Sequence, residues 1–261
     1  MLSQIEKIYA KITVELAPPA GRITLSHPPL NIIDLPMMDE LLAAIQSTEA
    51  RGDISFVVLA GSPRAFSAGV DIAAHQPPQV RVMLMKFHAV LRTLMASRKI
   101  TLAAVRGNCI GGGAELALAC DMIFCTENSV WQFPEINLAC FPPMAVVALA
   151  PAVGRKRAAE LIFTGQVIHG DEAFHLGLAN DAVADADLDD LVDEVGGRLA
   201  ALSPVALASA KKAFATMDAS QFEQKLQAAE AIYLDELMPA EDAREGISAF
   251  LEKRKPVWKG R

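Results

Sequence analysis

An α/β fold with parallel strand pairing is what this 261-residue chain predicts, and three observations carry that expectation. Short, largely apolar runs, SFVVLAG (55–61), TLAAVRG (101–107) and DMIFCT (121–126), read as buried strands. Segments with helical spacing are interleaved with them. After about residue 143 the strand signals fade and a helical tail follows. Strand and helix in alternation, with strands too apolar to face water, describe a parallel sheet covered by helices.

Taken in order, KITVEL (11–16) and GRITLS (21–26) alternate like two strands joined by the turn APPAG. PMMDELLAAIQSTEAR (36–51) has helical spacing, with Pro36 in a first-turn position that needs no N–H donor. Residues 79–97 are helical. In the tail, GRKRAAELIFTG (154–165), DLDDLVDEVGGRLAAL (187–202), SPVALASAKKAFATM (203–217) and the run from Ser220 to Met238 read as helices, Ser203-Pro204 forming a cap and first turn. No repeat of solenoid period and no low-complexity linker is visible.

Composition narrows the function. Apolar residues are 52% of the chain and charged residues 21%, enough for a large core and against disorder. A net charge of −7 argues against a nucleic-acid surface. Cys109, Cys120, Cys125 and Cys140 have apolar neighbours and no histidine at ligand spacing, so buried thiols in a reducing compartment are expected and a metal site is not. The leading MLSQIEKIYA has no apolar leader region. The longest apolar run, LACFPPMAVVALAPAV (138–153), is short for a span and holds three prolines. A soluble cytoplasmic protein without membrane contact is the expectation.

The chemistry concentrates in NCIGGGAELALACD (108–121). Gly111, Gly112 and Gly113 follow a strand and open a helix, where N–H groups lack partners and carry partial positive charge. Without side chains those groups can reach a ligand oxygen, although for three glycines alone a tight turn or close helix–sheet packing is the slightly better explanation. FSAGVD (66–71) is a second small-residue turn after a buried strand. Two such turns could aim two N–H groups at one oxyanion. Glu115 lies one helical turn inside the glycine-opened helix, and Glu135 lies in WQFPEINL, twenty residues on with one strand between. Each alone reads as a paired or capping carboxylate. Together, in apolar flanks, they could divide acid and base work. His27, His75, His88, His169 and His175 match no nucleophile motif and read as structural or surface residues. Asp121 reads as a sheet-end hydrogen-bonder, and Arg155, Lys156 and Arg157 as a solvated face. The basic C-terminal run EKRKPVWKGR (252–261) reads as solvated or as meeting a phosphate.

AFSAGVDI (65–72), VRGNCIGGGAELALACDMIFC (105–125), FPEINL (133–138), LIFTGQVIHGDEAFHLGLAN (161–180) and EGISAFLEKRKPVW (245–258), in this order, resemble the crotonase superfamily, the enoyl-CoA hydratases and isomerases. The resemblance implies a spiral of ββα units over residues 1–200, a helical trimerisation region over 201–261, and a homotrimer or a hexamer built as a dimer of trimers. It implies an acyl-CoA thioester substrate and no metal or redox cofactor. Carried over by position, the oxyanion donors are the N–H groups of Val70 and Gly112, and the acid/base pair is Glu115 and Glu135. Coenzyme A would meet Leu30, Ala68, Val70, Asp71, Ile72, Ala73 and Gly112, with Phe250 and Lys253 lent by the C-terminal segment. Where typical hydratases carry a glycine-rich run, this chain has Phe141, Pro142, Pro143 and Met144, which implies a bulkier acyl-pocket wall. That segment and the C-terminal tail are similar to the branch of cyclohexa-1,5-diene-1-carbonyl-CoA hydratases. Hydration of an unsaturated acyl-CoA, of that cyclic dienoyl type, is the implied activity. A short-chain enoyl-CoA hydratase, an isomerase, and a non-catalytic acyl-CoA-binding subunit remain alternatives.

Overall fold

The structure is a computed structural model that describes residues 9–216 and 219–261. Residues 1–8, read above as lacking a leader, and Met217, the end of a predicted tail helix, lie outside the described residues. The chain opens with the antiparallel pair β1 (Ile12–Ala17) and β2 (Ala20–Leu25), in register from Ile12 opposite Leu25 to Ala17 opposite Ala20. Helix α1 (Leu35–Ala50) follows, capped by Asp34, whose carboxylate accepts the Met37 N–H at 3.0 Å. Then come β3 (Phe56–Ala60), β4 (Ala65–Ser67), a 3₁₀ turn at Ile72–His75, α2 (Gln79–Ala96), β5 (Ile100–Val105), β6 (Asn108–Ile110) and α3 (Gly112–Leu118). β7 (Met122–Thr126), β8 (Val130–Gln132), a 3₁₀ turn at Pro134–Leu138, α4 (Pro143–Val153) and α5 (Arg155–Thr164) complete the region around the predicted site.

Beyond it lie β9 (Ile168–His169), α6 (Gly170–His175), β10 (Asp181–Val183) and α7 (Leu188–Ala200). Helices α8 (Pro204–Thr216) and α9 (Ala219–Ala231), a π-helical turn at Ile232–Leu237 and α10 (Glu241–Leu251) follow. β9 and β10 correct the expectation that strands end near residue 143. Both are too short to show a period, and their identity is set by the partners they pair with.

Among the described residues a six-stranded sheet runs in the order β1-β2-β3-β5-β7-β10, with every pairing after β1-β2 parallel. β3 and β5 are buried at every position, whereas β1 alternates buried and exposed. The difference follows from layers: Val57 and Leu59 face the main core, while Phe56, Val58 and Ala60 face a second core closed by Leu188, Val192, Val195 and Leu199 of α7. Leu226 of α9, Tyr233 and Ile247 of α10 fold back into the main core.

A second, smaller sheet was not legible in the sequence. It runs β4-β6-β8-β9, and β4-β6 and β6-β8 are parallel. Thus the small-residue turns do not leave the long apolar strands directly; each leaves a three-residue strand of the small sheet.

Candidate active site

Three adjacent strands of the small sheet, read at their carboxyl ends, carry the predicted residues to one place. β4 runs into Ala68–Asp71, β6 into the three glycines and Glu115, and β8 into Phe133-Pro134-Glu135. Both β7 and β8 lie between the glutamates, a correction to the single strand expected, since β8 was too short to register separately.

The turn after β4 is pinned from below. Asn31, buried and with φ 53°, donates to Ala65 O at 2.9 Å and Phe66 O at 3.1 Å and accepts the His27 N–H. The Ser67 hydroxyl donates to Asn31 O at 2.7 Å and accepts the Gly69 N–H. A parallel bridge joins Ile33 to Val70, using Gly69 O and the Asp71 N–H. That register turns the Val70 N–H away from Ile33 and leaves it without a backbone acceptor. Gly112 is the first residue of α3, where no intrahelical acceptor exists. The two donors lie side by side: a Cβ built on Gly112 would be 3.3 Å from Val70 N and 2.6 Å from Val70 Cγ2. Any side chain at 112 would therefore press on Val70 and Phe87. A donor to an oxyanion is worth about 3–4 kcal/mol of transition-state stabilisation in enzymes that use one.

Gly111 serves the acid. Its φ is 53°, and a Cβ there would lie 2.5 Å from Glu135 Oε1. The missing side chain lets the carboxyl rest on the backbone that opens α3. Gly113 in turn allows α3 to press on Ser67, whose carbonyl would meet a Cβ at 2.5 Å.

The glutamates have opposite surroundings. Glu115 is buried, and its Oε1 accepts the N–H groups of Met144 at 2.9 Å and Ala145 at 3.0 Å. Pro143 is the first residue of α4 and has no N–H, so the next two donors of the helix N-terminus fall on Glu115. Burial still raises the Glu115 carboxyl above the ordinary range, against the pull of His88 and of these two N–H groups. Glu135 has less support: the only backbone hydrogen bond acting on its carboxyl is a minor one within its own residue. Its residue surface is half-buried, but Oε2 is sealed and without a partner. Burial, with repulsion from Glu115 second, pushes its carboxyl up to about 8. Both carboxyls are thus pushed upward, but only Glu115 has helix N–H groups and His88 pulling the other way, and Glu135 at about 8 keeps its proton near neutrality.

Of the predicted wall residues Phe141–Met144, Pro142, Pro143 and Met144 are buried and Phe141 is half-buried. The Phe141 ring meets Tyr233 edge-on, centroids 5.3 Å apart, and the Tyr233 hydroxyl lies against the Cys140 thiol. The sequence reading missed Tyr233, which comes from the tail, and it missed the backbone role of the Pro143–Ala145 segment. A cavity of about 630 Å³ is lined by Phe141 and its neighbour Cys140 but takes in neither glutamate nor Val70 nor Gly112.

The remaining predicted contacts lie on the turn after β4 and on the C-terminal segment. Leu30 O accepts the Ala68 N–H at 2.9 Å, so these two residues adjoin. Asp71 caps the turn that carries Ile72 and Ala73, accepting the Ala73 N–H at 3.0 Å. Helix α10 packs on that turn and on the turn holding Glu135, where Gly246 meets Leu138. Phe250 and Lys253 lie exposed at its far end. Of the basic tail, Arg254 is spent on Glu245 and Glu252, and Lys259 and Arg261 on Glu241. Asp121 accepts from Thr101 and pairs with Lys211 at 2.7 Å, a sheet-end role. Among the described residues no group of three or more His, Cys, Asp or Glu could hold a metal ion, and no helix is long and apolar enough to cross a membrane.

Residues 20–261 match the model of the enoyl-CoA hydratase/isomerase family. A cyclohexa-1,5-dienecarbonyl-CoA hydratase of Thauera aromatica is 35% identical over 242 residues, 92% of this chain and 93% of its own length. A probable enoyl-CoA hydratase of Bacillus subtilis (strain 168) is 32% identical over 244 residues, covering 91% and 94%. Among solved structures, an enoyl-CoA hydratase from Mycobacterium avium subsp. paratuberculosis K-10 superposes with a TM-score of 0.87 at 24% identity, over 97% of this chain and all of the other. One from Bacillus anthracis gives 0.77 at 28%, again over 97% of this chain and all of the other. With the crotonase fold and a family match over nearly its whole length, this chain belongs to the enoyl-CoA hydratase/isomerase family.

Proposed function

We propose that the protein hydrates an α,β-unsaturated acyl-CoA thioester. The observation that carries this reading is the unequal pair: Glu115 clamped by two N–H donors of α4, and Glu135 with a sealed, unpartnered Oε2. The thioester oxygen sits between the N–H groups of Val70 and Gly112. Glu115 takes a proton from water as its oxygen bonds to the electron-poor carbon. Electron density moves into the thioester as an enolate, held by the two N–H groups. Glu135 then gives its proton to the carbon beside the carbonyl, so one water is added across the double bond. No metal or redox cofactor enters these steps.

The acyl group we assign is a cyclic dienoyl unit, cyclohexa-1,5-diene-1-carbonyl-CoA. The buried prolines and the Phe141–Tyr233 edge contact make a stiff apolar wall suited to a ring, and the Thauera relative is named for that substrate. The coenzyme A portion lies along Leu30 and Ala68–Ala73, with Phe250 and Lys253 as further contacts. The protein assembles as a homotrimer or a dimer of trimers; exposed Phe163, Val205 and Phe214 support burial between subunits.

Purified protein given crotonyl-CoA and the cyclic dienoyl-CoA, followed by absorbance and mass, tests the reading. Gain of one water on the dienoyl thioester, lost in Glu135→Gln, is expected. A product of unchanged mass makes the reaction an isomerisation, and tight binding without turnover of either makes the protein a binding subunit.

A further inference from the structure

One fully buried titratable side chain outside the glutamate pair has a polar atom with nothing to bond. His88, on α2, has its Nδ1 2.5 Å from Glu230 Oε1 on α9. Arg92, one turn along, bonds the same oxygen at 2.8 Å and Glu223 Oε2 at 3.0 Å. A carboxylate has no proton to offer, so Nδ1 carries the hydrogen and the tautomer is fixed. His88 Nε2 is buried and unpartnered. Buried nitrogens are rarely left so, and one that is asks for an absent partner.

The ring's position says where that partner would be. Its two nitrogens diverge, so tying Nδ1 to α9 turns Nε2 away from α9. The adjacent Phe87 reaches the oxyanion side, its Cζ 3.2 Å from the Cβ position of Gly112. On α3, Glu115 is near enough that His88 offsets part of what burial does to its carboxyl. The charged groups that act with the imidazole are Glu230, with Arg92 behind it, on Nδ1, and Glu115 of α3, whose carboxyl feels the ring.

We propose that His88 is a further catalytic residue, its Nε2 accepting one hydrogen of the water that adds to the acyl chain while Glu115 accepts the other. The inference rests on the hydration reading. His88 gains and loses no proton: Glu115 takes the proton released as the new C–O bond forms, and Glu135 supplies the one that ends on carbon. Two acceptors on one water leave a lone pair aimed at the reacting carbon.

Two amides separate this role from a structural one. Asparagine reaches the position of Nδ1 and glutamine that of Nε2. Under the proposal, His88→Asn keeps the tie to Glu230 and a near-normal melting temperature but lowers kcat by about 10²-fold or more at little change in KM. His88→Gln loses the tie and some thermal stability yet restores kcat to well above the asparagine variant. An active Asn variant overturns the proposal, because anchoring α2 to α9 would then suffice. If both variants are inactive, the ¹⁵N resonance of Nε2 in the wild-type protein decides. A shift on adding crotonyl-CoA but not coenzyme A supports the role, and an unmoved resonance overturns it. That titration needs no turnover, so a failure of the hydration reading is seen separately, as wild-type protein that adds water to neither thioester.

Discussion

Replacing Glu135 by glutamine removes the proton donor and should also stabilise the protein, by an amount that depends on pH. In the folded chain burial and Glu115 lift this carboxyl from 4.5 to about 8. Folding therefore favours the protonated form. Stability is fully present below the unfolded value and declines as pH rises toward the folded one, because only the unfolded chain ionises freely in that window. The slope is about 1.4 kcal/mol per pH unit, which by pH 7 accumulates to roughly 3 kcal/mol. Glutamine does not titrate. It adds a constant term from placing an amide against Gly111, which shifts the curve without tilting it. Urea unfolding of both proteins at pH 5, 6.5 and 8, at one protomer concentration, measures the difference. The variant should gain on the wild type steadily from pH 5 to 8 and no further above. Parallel curves would refute the claim that burial holds the Glu135 carboxyl well above its unfolded value. A wild type that gains on the variant with pH would show that it is stabilised as a carboxylate.

Other consequences follow from the same geometry. Hydration should fall above about pH 8 as Glu135 loses its proton, a limb absent from any residual activity of Glu135→Gln; pH–rate profiles check this. Glu115→Gln should fold, since an amide oxygen still accepts from Met144 and Ala145, while kcat drops by about 10²- to 10⁴-fold in steady-state assays. Gly111→Ala forces a methyl onto Glu135 Oε1 at a positive φ; we expect a stability loss of about 1–2 kcal/mol by denaturation and a larger effect on kcat than on KM. Phe141→Ala removes the ring that meets Tyr233 and should lower turnover of the cyclic thioester relative to crotonyl-CoA in paired assays.

The large sheet was readable because its strands are long, apolar and buried on both faces, as β3 and β5 are. The small sheet was not, because three residues such as Asn108–Ile110 show no period and owe their conformation to neighbours on either side. The glycine run signalled a close approach but not what approaches. The structure supplies three separate answers, Glu135 at Gly111, Val70 at Gly112 and Ser67 at Gly113. Phe141–Met144 were legible as bulk. That the same segment starts a helix aimed at Glu115 depends on a contact across 29 residues, which no local pattern encodes. His88 was legible as a structural residue, but its tie to Glu230, 142 residues away, was not.

The most direct test of the central claim is the mass of the product formed from cyclohexa-1,5-diene-1-carbonyl-CoA in ¹⁸O-labelled water. We expect one labelled water added by the wild-type protein, with the rate lowered by either glutamine substitution. Product of unchanged mass, or labelled product formed equally fast by Glu115→Gln and Glu135→Gln, would contradict the assignment of hydration to this pair.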